Sequence, residues 1–510
     1  MLVKKVVPPC MDACPLHMDV EGYCSLIAEG EFDEAFKLIY ETNPLPSVCG
    51  RVCTHPCELK CRRGDVDKPL ASAMLKRFVA DWYYQNKLSV PSEIVTHPKT
   101  NKKIAVIGSG PAGLTAAYDL VKMGHNVTIF EAEDKLGGML RFGIPEYRLP
   151  KDVLDRDIEA ILKLGVEVKT NCKIGEDLTI HELLDSGFDV VLIASGANEE
   201  VKLNIEGEDA KNVFPALYFL KNINMGKKLE IGEETVVIGG GNTAIDSARC
   251  ALRMGVKNVT ICYRRTAVEM PANPEEVKEA EEEGVKINYL VAPTKIIKKN
   301  DGTVKAVRFV RMKPGEPDES GRRRPIPISG SEFDVKADTV IVAIGQRPTV
   351  PFITSSDGIT LTEKKTLVVD PETLQTSRHG VFACGDVVLG PSTVVEAMAN
   401  GRKAAKSIDA FLRGTKFLPE NEWEVVGKLE PKTLEKIKKM ERSPTLKLSV
   451  PERVSSFREV NVGFTESLAV LEALRCLNCG TAAEISSDKC ISCLTCVTAV
   501  SYTHLTLPTN

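Results

Sequence analysis

The chain has 510 residues, of which 43% are hydrophobic, and a formal net charge of −4 at pH 7. At roughly 150 residues per domain, this length predicts three or more domains with sizeable cores. The slightly acidic balance indicates no nucleic-acid partner. No apolar run is long enough for a signal peptide or a membrane span, so the sequence favours a soluble cytoplasmic protein without a membrane partner.

The 16 cysteines are concentrated towards the two ends of the chain. In a large cytosolic protein, such clusters more often indicate metal or redox chemistry than disulfides. The stretch CGRVCTHPCELKC has a cysteine at every fourth position, but Pro56 disfavours a regular helix there, so we expect turns and short helices around a metal. The N-terminal candidate ligands are Cys10, Cys14, Cys49, Cys53, Cys57 and Cys61.

Residues 103 to 131 have the pattern of a dinucleotide-binding unit: strand, glycine-rich turn, helix, and a second strand ending on Glu131. Gly108 permits the tight turn, Gly110 lets the backbone approach a pyrophosphate, and Gly113 lets the helix pack on the strand. The helix N-terminus attracts phosphates, and the Glu131 carboxylate can accept from a ribose hydroxyl. This order predicts a dinucleotide site; the alternative is a glycine-rich turn without a ligand.

The pattern occurs again at residues 235 to 265, where Gly239, Gly241 and Ala244 form G-x-G-x-x-A. The position that matches Glu131 is a tyrosine here, followed by Arg264 and Arg265. Loss of the acid removes repulsion for a 2′-phosphate, and two arginines supply forked donors for one. We therefore expect NADPH rather than NADH at this unit. The alternative is that the arginines are a solvated face at a strand end.

Further landmarks suit a flavin at the first unit. Gly137 and Gly138 in LGGML allow close backbone approach to a dinucleotide, and Asp386 follows the strand in VFACGDV. Asp386 could hold the ribityl or phosphate groups of a flavin, and the next helix would point its N-terminus at the same ligand. We expect Cys384 to be a small packing residue, as we do the other isolated cysteines, Cys24, Cys172, Cys250 and Cys262. Two dinucleotide folds, one inserted into the other, are typical of a flavoprotein reductase.

The motifs GSGPAG, GGGNTAIDSA, YRR and FACGDVVLGPSTVVEAMANGR together resemble the small (β) subunit family of NADPH-dependent glutamate synthase. They are similar also to the N-terminal half of dihydropyrimidine dehydrogenase and related FAD/iron–sulfur reductases. The resemblance covers roughly residues 8 to 412. It implies an α-helical N-terminal domain with two [4Fe-4S] clusters, followed by two interleaved Rossmann-like α/β domains for FAD and NADPH.

Each [4Fe-4S] cluster takes about four thiolates, so two clusters need more cysteines than the N-terminal region offers. Zinc is the main competing ligand, because cysteine quartets also suit it. Relatives carry a further C-x-x-C upstream, and RCLNCG at residues 475 to 480 has that form. We hypothesise that Cys476 and Cys479 return to complete the N-terminal clusters. The alternative is that this pair belongs to a separate C-terminal cluster.

Near the C-terminus, Cys490, Cys493 and Cys496 form C-x-x-C-x-x-C in KCISCLTCVTAV. A bacterial ferredoxin run would continue with a fourth cysteine and proline, but Val500 occupies that position. A third cluster therefore lacks a ligand in this sequence. The tail SYTHLTLPTN fits nothing upstream, and we expect the native chain to diverge near residue 500.

The predicted divisions of the chain follow from these motifs. They are a helical [4Fe-4S] domain (1–100), the first part of an FAD domain (101–230), an NADPH domain (231–345), the second part of the FAD domain (346–412), a connector (413–470), a truncated ferredoxin-like segment (471–500) and a non-native tail (501–510). We expect the polar loop at 312–331, with its three arginines, to be a solvated hairpin tip; the alternative is that these arginines contact a phosphate.

The predicted activity is transfer of electrons from NADPH through FAD and [4Fe-4S] clusters to a partner. By resemblance, that partner could be a glutamate synthase large subunit, since no amidotransferase is visible in this chain. The alternatives are a free-standing NADPH:ferredoxin or acceptor reductase, the electron-input subunit of a dihydropyrimidine dehydrogenase, and a non-enzymatic iron–sulfur docking subunit.

Overall fold

The computed structural model describes residues 6–87, 97–418 and 423–480, together with the backbone of short strands at 483–484 and 505–506. Within these residues, no helix combines the length and the hydropathy needed to cross a bilayer.

The helices and strands run as follows in chain order. The helices are α1 (Pro9–Ala13), α2 (Val20–Glu29), α3 (Phe32–Thr42), α4 (Pro46–Val52), α5 (Pro56–Leu59), α6 (Ser72–Asn86), α7 (Pro111–Lys122), α8 (Met139–Phe142), α9 (Lys151–Leu162), α10 (Ile180–Asp185), α11 (Ala216–Asn224), α12 (Asn242–Arg253), α13 (Pro274–Glu282), α14 (Asp386–Leu389), α15 (Val394–Arg413), α16 (Pro431–Leu434), α17 (Val450–Ser455) and α18 (Glu466–Ala473). The strands are β1 (Val6–Val7), β2 (Lys103–Ile107), β3 (Asn126–Phe130), β4 (Glu167–Lys169), β5 (Val190–Ile193), β6 (Glu199–Glu200), β7 (Val213–Pro215), β8 (Glu234–Gly239), β9 (Asn258–Tyr263), β10 (Lys286–Tyr289), β11 (Val291–Lys298), β12 (Val304–Pro317), β13 (Arg323–Pro327), β14 (Phe333–Lys336), β15 (Thr339–Ala343), β16 (Gln346–Arg347), β17 (Val381–Ala383), β18 (Glu424–Val425), β19 (Leu446–Lys447), β20 (Asn461–Gly463), β21 (Ala483–Glu484) and β22 (Leu505–Thr506).

The N-terminal region is helical, and its cysteine-rich stretch is broken into short pieces as the sequence predicts. Pro46 begins α4 and Pro56 begins α5, where the missing proline N–H costs nothing because the first turn has no partner for it. A stacked pair of rings, Phe36 and Tyr83 with centroids 3.7 Å apart, joins α3 to α6. Cys10, Cys49 and Cys57 lie inside these short helices, and Cys14, Cys53 and Cys61 lie in the turns that follow them.

The first Rossmann-like unit is a parallel sheet in the order β17-β5-β2-β3-β4. Its central strands are apolar and buried on both faces, as expected for a parallel sheet covered by helices. Helices α7 and α15 pack closely on one another: a Cβ on Gly401 would lie 2.2 Å from the carbonyl oxygen of Ala112. Residues 101–230 and 346–412, predicted as two parts of one domain, therefore each contribute strands to this sheet.

The second unit is a parallel sheet in the order β10-β9-β8-β15-β7. Strand β7 pairs with β15 through Val213 and Val340, so it lies in this sheet although the sequence prediction began the domain at residue 231. An antiparallel sheet of β11, β12, β13 and β14 extends from it. The region predicted as a polar loop at 312–331 contains the β12–β13 hairpin of that sheet, whose tip folds back against β9 as described below.

Residues 423–480, most of which were predicted to be a connector, pack against the N-terminal helices. Strand β18 pairs with β1, and the Glu459 carboxylate forms ion pairs with Arg51 (2.8 Å) and Arg77 (2.9 Å). At the end of α18, the fully buried Glu472 carboxylate accepts hydrogen bonds from the backbone N–H groups of Ala71 (2.8 Å) and Ser443 (2.7 Å). This return brings residues 476–480 beside the N-terminal cysteines.

We expect Glu472→Gln to lower the local stability of residues 443–480, which pack against the N-terminal helices. The variant keeps the size of the side chain but removes a buried charge that the Arg475 guanidinium contacts at 2.5 Å, a loss that typically costs about 3 kcal/mol or more. Hydrogen–deuterium exchange should therefore rise across residues 443–480. Glu466→Gln, on the exposed first turn of the same helix, is the matched control. Equal exchange in the two variants would contradict this role of Glu472.

Candidate functional site

A cavity of about 630 Å³ opens at the carboxyl ends of β2, β3 and β5. In open α/β sheets, ligands bind at this edge, next to the point where the strand order reverses. The predicted residues that line it are Gly108, Gly110, Glu131, Gly138 and Asp386. The structure thus brings together residues that are far apart in the chain.

The turn after β2 needs glycine for two physical reasons. Gly108 has φ +102°, and a Cβ there would lie 2.5 Å from the carbonyl oxygen of Ala194 on the neighbouring strand. Gly113 packs against the same turn, since its Cβ would meet the Gly108 carbonyl oxygen at 2.1 Å. Gly137 supports the turn from outside by donating its backbone N–H to the Ser109 hydroxyl at 3.0 Å. The N-terminus of α7 is thereby held at the cavity.

The Glu131 carboxylate is fixed at the end of β3 by hydrogen bonds on both oxygens. One oxygen accepts from the backbone N–H of Ser109 at 3.0 Å, and the other accepts from the backbone N–H of Glu133 at 3.0 Å. The side chain is only 7% exposed, yet it borders the cavity. A carboxylate held in this way presents acceptor lone pairs to a ribose without having to move.

Asp386, on the second part of the domain, also lines the cavity. Burial raises the pKa of its carboxyl group, and one oxygen accepts from the backbone N–H of Ser392 at 3.2 Å and from its hydroxyl at 2.6 Å. The first turn of α15 also lines the cavity, through Thr393, Val394 and Ala397. Polar groups and a helix N-terminus therefore converge here, as the phosphates and ribityl chain of FAD require.

The cavity has a further wall that the sequence did not reveal. Leu217, Tyr218 and Lys221 of α11, which packs against the second sheet, line the same space, as do Lys173 and Phe352 from separate loops. None of these residues belongs to a motif. Because both units border the cavity, a nicotinamide bound to the second unit and a flavin bound to the first can meet there. Cys172, expected to be a packing residue, also lines it.

The second unit repeats the turn geometry of the first. Gly239 has φ +150°, and a Cβ there would lie 2.1 Å from the carbonyl oxygen of Ala343. Gly241 precedes α12, and Ala244 is fully buried on that helix. The ring of Tyr263 covers Gly240, where a Cβ would lie 2.4 Å from the ring. The site therefore has the same close backbone approach, with an aromatic ring where the first unit has a carboxylate.

The two arginines predicted for a 2′-phosphate have different environments. Arg264 is exposed, whereas Arg265 is only 6% exposed and pairs with Asp318 at 2.5 Å. The partner comes from the tip of the β12–β13 hairpin, which the sequence did not connect with this site.

The cysteines of the helical domain and of residues 476–480 fall into two neighbouring groups. Burial raises the pKa of the Cys49 and Cys57 thiols to about 12, and Cys14 and Cys53 are close enough to both to act on them electrostatically. Burial also raises the pKa of Cys10, whose neighbours are Cys476, Cys61, Cys57 and Cys479. We call Cys14, Cys49, Cys53 and Cys57 the inner group and Cys10, Cys61, Cys476 and Cys479 the outer group; Cys57 lies where the two groups meet.

This donor set fits iron–sulfur clusters. Both groups offer sulfur ligands alone, and buried thiols need a metal to hold them as thiolates. The side chain of Lys76 is buried beside the inner group; burial lowers its pKa, but the thiolates of that group outweigh this and raise it above the usual value. Zinc also accepts cysteine quartets, so the choice between the two rests on the family comparison and not on the thiols alone.

Two other cysteine predictions have mixed outcomes. Cys384 is fully buried, and burial raises the pKa of its thiol to about 12, as expected for a packing residue. Cys24, also expected to pack, lies against the outer group, where its hydrogen bond lowers the pKa of Cys476. Cys490, Cys493 and Cys496 lie outside the described residues.

Comparison with known protein families matches two regions of the chain. Residues 102–401 match the model of the pyridine nucleotide-disulphide oxidoreductase family. Residues 4–88 match the model of dihydropyrimidine dehydrogenase domain II, 4Fe-4S cluster. These matches confirm the predicted FAD, NADPH and [4Fe-4S] cofactors and the predicted α/β architecture.

Among curated relatives, the chain is 44% identical to the NADP(+)-dependent formate dehydrogenase subunit beta of Moorella thermoacetica, over 93% of this chain and 71% of that one. It is 41% identical to the NADPH-Fe(3+) oxidoreductase subunit beta of Geobacter sulfurreducens, over 94% and 76%. It is 37% identical to the Escherichia coli glutamate synthase [NADPH] small chain, over 79% and 89%.

Among solved structures, FprA from Mycobacterium tuberculosis superimposes with a TM-score of 0.54 at 20% identity, over 62% of this chain and 85% of that one. This likeness concerns the fold. With the two family matches and the curated relatives, it supports one conclusion. The chain belongs to the pyridine nucleotide-disulphide oxidoreductase family and is an NADPH-dependent flavoprotein oxidoreductase with an N-terminal 4Fe-4S domain.

Proposed function

We propose that the chain is the electron-input subunit of a larger oxidoreductase, taking electrons from NADPH and delivering them singly to a partner subunit. Bound FAD supplies the required chemistry, because a flavin accepts a hydride from NADPH and can release the two electrons one at a time. The observation that carries the proposal is a contact between the cluster domain and the flavin domain. The Cys49 sulfur lies 3.4 Å from the Met398 sulfur.

Met398 connects the two sites through its place on α15. The preceding residue, Ala397, lines the flavin cavity, and the Met398 side chain is fully buried against the inner group. The inner group is therefore the natural entry point for electrons. The outer group is more exposed: Cys10, Cys61, Cys476 and Cys479 are each partly accessible, whereas in the inner group only Cys57 is partly accessible and Cys14, Cys49 and Cys53 are buried. This gradient supports an order from the flavin to the inner group, then to the outer group, then to the partner.

The partner is proposed from the relatives. The two β subunits with the higher identity among those named above act, by name, with formate dehydrogenase and with Fe(3+). We therefore place a partner subunit of that kind ahead of the glutamate synthase large subunit expected from sequence. Ferredoxin remains the acceptor if the chain works alone.

The proposal predicts that NADPH reduces clusters as well as flavin. In an anaerobic titration of the purified protein, followed by flavin absorbance and cluster EPR, the flavin should bleach and reduced-cluster signals should appear. In Cys49→Ser, flavin bleaching should persist. The outer cluster should be reduced by dithionite but no longer by NADPH, because the inner group is incomplete.

Cys262→Ser is the matched control for this titration. Cys262 is buried in the second unit, away from both cysteine groups, and Asn288 can bond to a hydroxyl in its place. It should behave as the wild type. Reduction of the outer cluster by NADPH at the wild-type rate in Cys49→Ser would overturn the proposed order, and bleaching of flavin alone in the wild type would overturn the electron-input role.

The outer group predicts a pattern of iron loss. Cys10→Ser alone and Cys476→Ser with Cys479→Ser should each remove roughly one cluster's iron, about four atoms per chain. Because all three residues are assigned to one cluster, the combined variant should lose no more than either alone. Iron and acid-labile sulfide assays measure this. Additive losses would place Cys476 and Cys479 on a separate cluster, and unchanged iron would remove them as ligands.

The position of Lys76 predicts how its replacement changes the midpoint potential of the inner cluster. A buried ammonium favours the more negative, reduced state of a neighbouring cluster, so Lys76→Met should lower the midpoint potential of the inner cluster. Lys60→Met, on the exposed surface beside Cys61, should leave it unchanged because water and salt screen that charge. EPR-monitored potentiometry distinguishes the two. An unchanged or higher potential in Lys76→Met would contradict the prediction.

A further inference from the structure

The tip of the β12–β13 hairpin is anchored to the end of β9, at the NADPH unit. The Asp318 carboxylate pairs with Arg265 at 2.5 Å. The Arg323 guanidinium forms an ion pair with Glu269 and donates to the Thr266 hydroxyl at 3.4 Å. Helix α13 and strands β10 and β11 separate the hairpin from β9 in sequence. Two ion pairs therefore hold it at a place that no sequence motif indicates.

Asp318 also organises the turn itself. The carboxylate oxygen that does not face Arg265 accepts from the backbone N–H of Ser320 at 2.9 Å and from the hydroxyl of Ser320 at 2.5 Å. The backbone N–H of Asp318 donates to the Arg322 carbonyl oxygen at 2.8 Å, which closes the turn. The Asp318 carboxylate therefore both anchors the hairpin to β9 and shapes the turn at its tip.

This turn also fixes the orientation of the Arg322 side chain. Its Nε donates to the Ser320 hydroxyl at 2.9 Å. Among the described residues, no hydrogen bond or ion pair is formed by its terminal nitrogens, and its side chain is partly exposed. A guanidinium held at one edge, with its other donors free, is suited to bidentate binding of a phosphate.

The hairpin tip reaches the end of β9 beside the ring of Tyr263. The Tyr263 hydroxyl donates to the Glu269 carbonyl oxygen at 2.8 Å, and the Glu269 carboxylate is the ion-pair partner of Arg323, the residue after Arg322. Burial raises the pKa of the Tyr263 hydroxyl, while the nearby positive charges of Arg265, Arg322 and Arg264 act to lower it. Tyr263 occupies the position that Glu131, the expected ribose acceptor, has in the first unit. The guanidinium groups of Arg264 and Arg322 therefore lie near the place where the adenosine ribose of NADPH and its 2′-phosphate would be bound.

We propose that Arg322, together with Arg264, binds the 2′-phosphate of NADPH, and that Arg265 and Asp318 are positioning residues that hold the hairpin tip over the nucleotide. Arg265 is buried and bonds Asp318 through one terminal nitrogen, so we assign it the role of holding the hairpin. This assignment deepens the NADPH site described above and gives the polar hairpin a role in nucleotide selection.

The test is direct binding to the full-length flavoprotein, which needs no turnover. Calorimetry with 2′,5′-ADP and with 5′-AMP measures the contribution of the 2′-phosphate alone. Arg322→Ala should bind 2′,5′-ADP at least about tenfold more weakly, as expected for loss of a charge-assisted pair, with 5′-AMP binding unchanged. Asp318→Asn should show a smaller loss in the same direction, and Arg322→Lys should recover part of the affinity.

Arg324→Ala is the matched control, since Arg324 is an exposed arginine two residues further along the same hairpin. Equal affinity for 2′,5′-ADP in Arg322→Ala and Arg324→Ala would overturn the proposal. A parallel loss of 5′-AMP binding would also overturn it, because it would indicate a damaged site rather than a lost phosphate contact. Failure of the electron-input role would look different from failure of this proposal. In that case NADPH would not reduce the clusters of the wild type, although the wild type would still bind 2′,5′-ADP more tightly than 5′-AMP.

Discussion

Helix α15 is the element against which the redox sites of this chain are arranged. The Arg402 guanidinium forms a bidentate pair with the buried Asp119 carboxylate on α7, at 2.8 and 3.0 Å. Gly401 allows the two helix backbones to touch. These contacts aim the first turn of α15 at the flavin cavity and the next turn, with Met398, at the inner cysteine group. A shift of this helix would disturb both sites together, because an interior packed at crystal density transmits strain.

Buried charges join the parts of the molecule that must keep a fixed distance. Glu472 and Arg475 hold the returning segment, and Arg148 pairs with Asp246 at 2.7 Å between the two dinucleotide units. Asp157 accepts the backbone N–H of Val48 at 3.0 Å where the flavin domain meets α4, and burial raises its pKa to about 7. Such groups add little net stability, since desolvation offsets their attraction. Their geometric demands define the relative positions of the domains, on which electron transfer depends.

The two dinucleotide units show how one fold serves two ligands. Both have a glycine turn that excludes a Cβ by contact with a neighbouring carbonyl oxygen, and both present a helix N-terminus. They differ at the end of the second strand, where Glu131 is anchored by backbone N–H groups and Tyr263 is surrounded by arginines. The carboxylate suits a ribose hydroxyl, and the cationic surroundings suit a phosphate. The shared scaffold and the different strand ends together support transfer from a phosphorylated nicotinamide nucleotide to a flavin.

The two nucleotide units, their order and the metal-binding character of the cysteines are predictable from the amino-acid sequence, because they depend on local patterns: a glycine turn between a strand and a helix, or thiols at short spacing. The sequence also indicated that Cys476 and Cys479 could return to the N-terminal region. The remaining features depend on contacts that form only in the folded chain. Residues 423–480 pack on the N-terminal helices through buried ion pairs, the hairpin at Asp318 reaches Arg265, and Lys76 faces the inner cysteines. These contacts join residues far apart in the chain, and no local periodicity encodes which distant partner a buried charge will find.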